Sequence, residues 1–287
     1  MYRPGLAAET LRDVYSAERY VPGVAHQVIV PVAPSRAEAN ANAHLGTEAL
    51  FGEIVNVYNR QDGWAWGQAA LDDYVGYLPV TCLGKAAEIN QPTHSVAVLS
   101  SFVFPDPDLK TPPLMALPMN ARVRVIGERD GYCELVTGGW MVKKHLASEG
   151  NVESDYIKTA RLYLGVPYLW GGRSGLGLDC SGLVQTALLR AGIPAPRDSD
   201  MQLEQLGTKV TPDTYPDNFK RGDLIFFPSH VGIMDDDIHL IHANAQSMNV
   251  ARQPLSEFIG ILEKKLGSAI AGIRRLHADG VPATARY

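Results

Sequence analysis

The chain has 287 residues, 46% hydrophobic and 20% charged, with a formal net charge of −5. That length allows two or three domains with separate cores, and the acidic balance excludes the basic footprint of a nucleic-acid or anionic-membrane binder. Three cysteines, an odd number, argue against a disulfide scaffold and suit a reducing compartment.

From Met1 to Asp13 there is no unbroken apolar run that could serve as a signal-peptide core. No segment approaches the roughly 20 apolar residues needed to span a bilayer. If Met1 is the true start, the expectation is a cytoplasmic protein. The first half then reads as short strands. Residues 54–58, a turn at Gln61-Asp62-Gly63, and residues 64–68 and 74–78 form one set. Residues 122–126, a turn at Arg129-Asp130-Gly131, and residues 132–136 and 138–142 form a second. The run from Gly76 to Leu83 aligns without gaps on the run from Gly139 to Leu146 in its glycine, aromatic, aliphatic and closing leucine. Repeated short strands with Asp-Gly turns point to two small β-barrels. The first lies in residues 1–91, behind an N-terminal segment, and the second in residues 92–148, with Gln91-Pro92-Thr93 at the join. Trp64, Trp66 and Trp140 are expected in the barrel cores.

After residue 150 the character changes. Residues 155–164 read as a helix ended by Gly165-Val166-Pro167, and a glycine-rich loop fills residues 171–178. Leu183, Val184, Ala187, Leu188 and Leu189 then recur at helical spacing up to the stop at Gly192-Ile193-Pro194. A Pro- and Asp-rich loop from Thr211 to Asn218 leads to strands over 223–227, 230–234, 238–242 and 272–276. Helices first and an antiparallel sheet after make residues 149–287 an α+β domain.

Cys180 stands at the mouth of the glycine loop, in the first turn of the following helix. There the helix dipole and unpaired N–H groups favour a thiolate. The competing reading is a buried, inert thiol, which fits Cys82 and Cys133 in their strand-like surroundings. A nucleophilic cysteine needs a base and a group that orients it. His230 opens one apolar strand and His242 ends the next, twelve residues on. Adjacent antiparallel strands put both on one face, with His242 fixing the tautomer of His230. His239 points to the opposite face, and His26, His44, His94, His145 and His277 have no comparable setting.

Pro167-Tyr168-Leu169-Trp170-Gly171-Gly172, Asp179-Cys180-Ser181-Gly182-Leu183, the run from Arg221 to Phe227 and His230-Val231-Gly232-Ile233 together resemble the NlpC-type cysteine peptidases of bacterial cell-wall metabolism. The barrels resemble the bacterial SH3-like domains found beside such enzymes. With Pro196-Arg197-Asp198-Ser199, they are similar to the branch that cuts γ-D-glutamyl–diamino-acid bonds in free wall peptides. The resemblance implies a papain-like catalytic domain behind two SH3-like barrels. It makes Cys180 the nucleophile, His230 the base, His242 the orienting third member and Tyr168 an oxyanion donor. Asp179, Ser181 and Ser199 would hold the γ-D-glutamyl group, Trp170 would line the pocket, and Asp198 would meet the substrate's free amine. From the first barrel, Tyr74 and Glu38 would close the far end. A competing role for Asp198 is helix capping, with Ser199 or Asp200 as the other candidates for the cap.

The implied substrate is a small murein peptide, L-Ala-γ-D-Glu joined to diaminopimelate or lysine, met in wall recycling. No metal or other cofactor is expected, since there is no Cys-x-x-Cys or His-Glu-x-x-His spacing. Two rivals stay open: an amidase or acyltransferase acting on other amides, and a vestigial peptidase whose barrels bind wall or partner proteins.

Overall fold

The computed structural model describes residues 1–86, 88–211, 219–266 and 269–276. The expected loop over 212–218 and His277 lie outside the described residues. The chain divides into two compact units, Met1–Glu149 and Gly150–Tyr287.

In the first unit, an antiparallel sheet runs Val24–Gln27, Ile54–Gln61, Trp64–Ala69, Val75–Pro79, Val32–Arg36 and Leu45–Leu50. Alternate residues along each strand point to opposite faces, and Val55, Val57, Ala65 and Leu78 supply part of one core. A second core, with Val103, Leu117, Val123, Leu135 and Met141, also takes in Phe51 from the first barrel. It lies between a five-stranded and a three-stranded antiparallel sheet. The N-terminal segment adds a small sheet of Tyr2–Arg3, Leu6–Ala8 and Arg19–Val21.

The repeat seen in the sequence is also a repeat of backbone. Asp62-Gly63 and Asp130-Gly131 take φ values of 51° and 82° and of 50° and 82°. They turn between the cross-strand pairs Gln61–Trp64 and Arg129–Tyr132. Two successive positive φ angles define the hairpin turn for which Asp-Gly is selected. At the aligned positions, each copy then makes one 3-10 turn, Val80–Cys82 and Lys143–His145.

The tryptophans differ from expectation. Ala65 and Met141 occupy the cores, so the alternation of side chains sends Trp64, Trp66 and Trp140 to the outer faces. Trp66 is nonetheless buried, because the Arg3 guanidinium lies 4.6 Å from its ring centroid. Arg129 covers Trp140 in the same way at 4.7 Å.

In the second unit, an antiparallel sheet runs Thr208–Val210, Gly272–Arg275, Leu224–Phe227, His230–Met234, His239–Asn244 and Asn249–Pro254. Its helices are α1 (Tyr156–Leu162), α2 (Cys180–Arg190), α3 (Ser199–Gln205) and α4 (Leu255–Leu266). Helix α2 ends as the sequence stop signal requires. Gly192 takes φ +75°, and Ile193 N–H and Gly192 N–H donate to the Leu188 and Leu189 carbonyls, a Schellman closure. The strand Asn249–Pro254 and helix α4 are additions to the expected elements. The strand is at the sheet edge, where polar residues are tolerated and alternation is weak. Helix α4 packs Leu255, Phe258 and Ile259 against Phe227, Met234 and Leu240.

Candidate active site

Helix α2 begins at the nucleophile candidate. Asp179 is its N-cap, and Asp179 Oδ1 accepts the Gly182 N–H at 2.7 Å. Asp179 Oδ2 accepts the Gly171 N–H at 2.8 Å, tying the glycine loop to the helix start. Cys180 therefore follows a fixed carboxylate and opens the first turn.

The sulfur is buried. Backbone N–H groups of Val231 and Ser181 hydrogen-bond it and favour the thiolate. Burial, joined by the nearby Asp179 charge, outweighs them and pushes the thiol up to about 11. The thiolate expected from helix position alone is thus opposed by desolvation. Val231 directly follows His230, so the hydrogen bond sets the Cys180 sulfur at the start of the histidine strand.

His230 Nε2 and His242 Nδ1 are 2.9 Å apart. The cross-strand pairs Ile233–Ile241 and Met234–Leu240 put both histidines on the sheet face that carries Phe258. The Phe258 ring centroid lies 5.2 Å from that of His230 and 4.5 Å from that of His242. Burial lowers His230 to about 3 and His242 to about 4. Beyond His242, Asn244 Nδ2 lies 3.1 Å from Nε2, while Asn244 Oδ1 accepts the N–H groups of Gln246 and Ser247. The Gln253 side chain also hydrogen-bonds His242. The His242 ring is therefore held from both ends. His239 instead pairs with Asp236.

Tyr168 is half-buried near Cys180 and Asp179, and burial raises its hydroxyl to about 12, so it stays a donor. Trp170, expected along a pocket wall, is 65% exposed.

Asp179 and Ser181, which the resemblance implies as substrate contacts, both bond to Arg197. Arg197 Nη2 meets Asp179 Oδ2 at 2.6 Å and Arg197 Nη1 meets Oδ1 at 2.9 Å. With Gly171, Gly182 and Ser181 also donating, the carboxylate's acceptor sites are filled. Ser181 Oγ accepts from Arg197 at 2.8 Å and donates to Asp179 at 3.3 Å.

Asp198 occupies the N-cap position of α3 without a side-chain capping hydrogen bond. The cap is therefore neither Ser199, the first helical residue, nor Asp200, whose carboxylate accepts the Met201 N–H. In the first unit, the Tyr74 hydroxyl packs so close to Gly46 that an added Cβ there would lie 2.9 Å from it. Glu38 is exposed, whereas Glu48, two residues from Gly46, is buried.

Arg197, Asn244, Gln253 and Phe258 are the site residues that sequence reasoning missed. Only Arg197 had a signal, its place beside Asp198 and Ser199.

The NlpC/P60 family pattern matches residues 165–261, and that of the bacterial dipeptidyl-peptidase SH3 domain matches residues 36–83. A gamma-D-glutamyl-L-lysine dipeptidyl-peptidase of Bacillus cereus is 29% identical over 80% of this chain and 75% of its own length. One from Bacillus subtilis is 28% identical over 77% and 78%. A crystal structure of an NlpC/P60 family protein from Bacillus cereus shares the fold, with a TM-score of 0.74 at 24% identity over 88% of this chain and 99% of that one. The chain carries an NlpC/P60 cysteine-peptidase domain of papain-like, α+β fold, with a bacterial dipeptidyl-peptidase SH3 domain N-terminal to it.

Proposed function

We propose that the enzyme hydrolyses the γ-D-glutamyl–diamino-acid bond of murein peptides with a free N-terminal L-alanine. The observation that carries the chemistry is the hydrogen-bonded pair of His230 and the buried His242, one residue from the N–H that binds the Cys180 sulfur. The bond specificity is supported by the names of the two Bacillus relatives, whose similarity runs through most of the chain.

Cys180 attacks the γ-glutamyl carbonyl as His230 takes the thiol proton, forming an S–C bond and an oxyanion. Burial disfavours either charge alone, but transfer within the site creates an opposed pair and leaves the net charge unchanged. The Cys180 N–H and the Tyr168 hydroxyl stabilise the oxyanion. Collapse expels the diamino acid's amine, which takes its proton from His230. Water, deprotonated by the same imidazole, then hydrolyses the thioester and frees the thiol.

For the substrate amine, Asp198 offers a carboxylate. Such a pairing admits a free L-alanine amine and excludes stems joined to sugar, which fits a cytoplasmic recycling enzyme. The test is incubation with L-Ala-γ-D-Glu-diaminopimelate, its lysine counterpart and their N-acetylated forms. Cleavage of the free-amine peptides at the γ-bond is expected, with at least tenfold slower turnover of the acetylated ones. Equal cleavage of both forms would remove the free-amine requirement. Full activity in Cys180→Ala would remove the mechanism.

A further inference from the structure

Asp179 presents an electrostatic difficulty. It caps α2 and binds the Gly171 N–H, so the geometry of the nucleophile depends on it. Yet it sets a carboxylate directly beside the one side chain that must become an anion, and its charge opposes that change.

Arg197 meets this carboxylate with a planar fork. Its side chain is 1% exposed. It contacts both Asp179 oxygens, Ser181 Oγ at 2.8 Å and the Gly172 carbonyl at 3.4 Å. Gln202 of α3, itself fully buried, pins the arginine's loop. Its amide donates to the Pro196 carbonyl at 2.8 Å and to the Ser181 carbonyl at 3.0 Å. The guanidinium is thus fixed to the helix start from two sides, in a geometry an ammonium point charge does not reproduce.

We propose that Arg197 is a positioning residue for the nucleophile, cancelling the Asp179 charge and locking Ser181 so that α2 is capped without a net negative charge beside Cys180. The proposal rests on Cys180 being the nucleophile. Arg197 acts on Cys180 in the direction opposite to Asp179. Among the described residues, Tyr168, on the loop before α2, also interacts with the thiol and remains neutral, and His230 lies on the strand whose Val231 binds the sulfur.

The test is the pH dependence of Cys180 carbamidomethylation by iodoacetamide, followed by mass spectrometry of the Cys180 peptide, alongside kcat. In Arg197→Met the alkylation midpoint is expected to rise by about 1 pH unit or more, a roughly tenfold loss of thiolate at fixed pH. In the double variant Asp179→Asn/Arg197→Met it is expected to return toward the parent's. Arg197→Lys should keep the midpoint near the parent's while lowering kcat, since the charge stays and the fork is lost. An unmoved midpoint in folded Arg197→Met overturns the proposal. If that variant does not fold, Asp179→Asn decides: the uncompensated guanidinium must lower the midpoint, and no change refutes the role. Turnover surviving in Cys180→Ala would instead indict the nucleophile, whatever the alkylation curves show.

Discussion

His230 and His242 share a hydrogen bond, Nε2 to Nδ1 at 2.9 Å, beneath the edge of the Phe258 ring. Sequence spacing brings the two residues to one face, but the ring from α4 is what dries them. In the proposed mechanism the base, His230, owes its orientation to His242. His242→Ala is expected to lower kcat by about 10²-fold with little change in KM, and His242→Asn, which retains a polar group, to lose less. Steady-state kinetics on the free-amine peptide checks both.

Dryness also makes stability depend on pH. His230 and His242 have folded-state values of about 3 and about 4, against 6.5 for a free imidazole. Between those values the unfolded chain binds protons that the folded chain does not, so stability is complete above about pH 6.5 and declines as pH falls. Urea midpoints should drop from pH 7 to pH 5, above the range where most carboxylates titrate. Replacing His242 with Asn should flatten that drop. An identical slope in the variant would assign it to other groups.

Tyr168 supplies a hydroxyl that stays protonated across the working range. Tyr168→Phe keeps the ring and deletes the donor. A fall in kcat of about 10²-fold at nearly constant KM is expected of a group that acts on the developing oxyanion. A change in KM alone would mark it as a ground-state contact.

Gly182 touches the glycine loop so closely that an added Cβ would lie 2.2 Å from the Gly172 carbonyl oxygen. Gly182→Ala must therefore push the loop off α2 and disturb the Asp179 cap. Loss of activity together with a destabilisation of about 1–3 kcal/mol, read from denaturant unfolding, is the expected result.

On the barrel, Arg3 and Trp66 form a stacked pair on the outer face. Arg3→Ala should cost about 0.5–1 kcal/mol, while Trp66→Ala, which removes a buried ring, should cost about 3 kcal/mol or more. Thermal unfolding of the two variants would separate a cover from the surface it covers.

The sequence by itself determined the elements whose causes are local. A two-residue Asp-Gly turn, a glycine after α2, and a cysteine between an acid and a hydroxyl at a helix start are each dictated by backbone sterics or by orphan N–H groups within a few residues. The parity that set His230 and His242 on one face and His239 on the other is equally local. The tertiary structure decided whatever depends on a distant partner or on the exclusion of water. The arginine that saturates Asp179 comes from the loop before α3, and the phenylalanine over the histidines from a helix that begins after the last sheet edge. The three tryptophans lie outside the barrel cores because their smaller neighbours fill the inner face and two arginines cover two of them. The charge state of Cys180 belongs to the same class. Helix position favours the thiolate, but the depth of burial, and the guanidinium that offsets Asp179, exist only once the chain has closed around them.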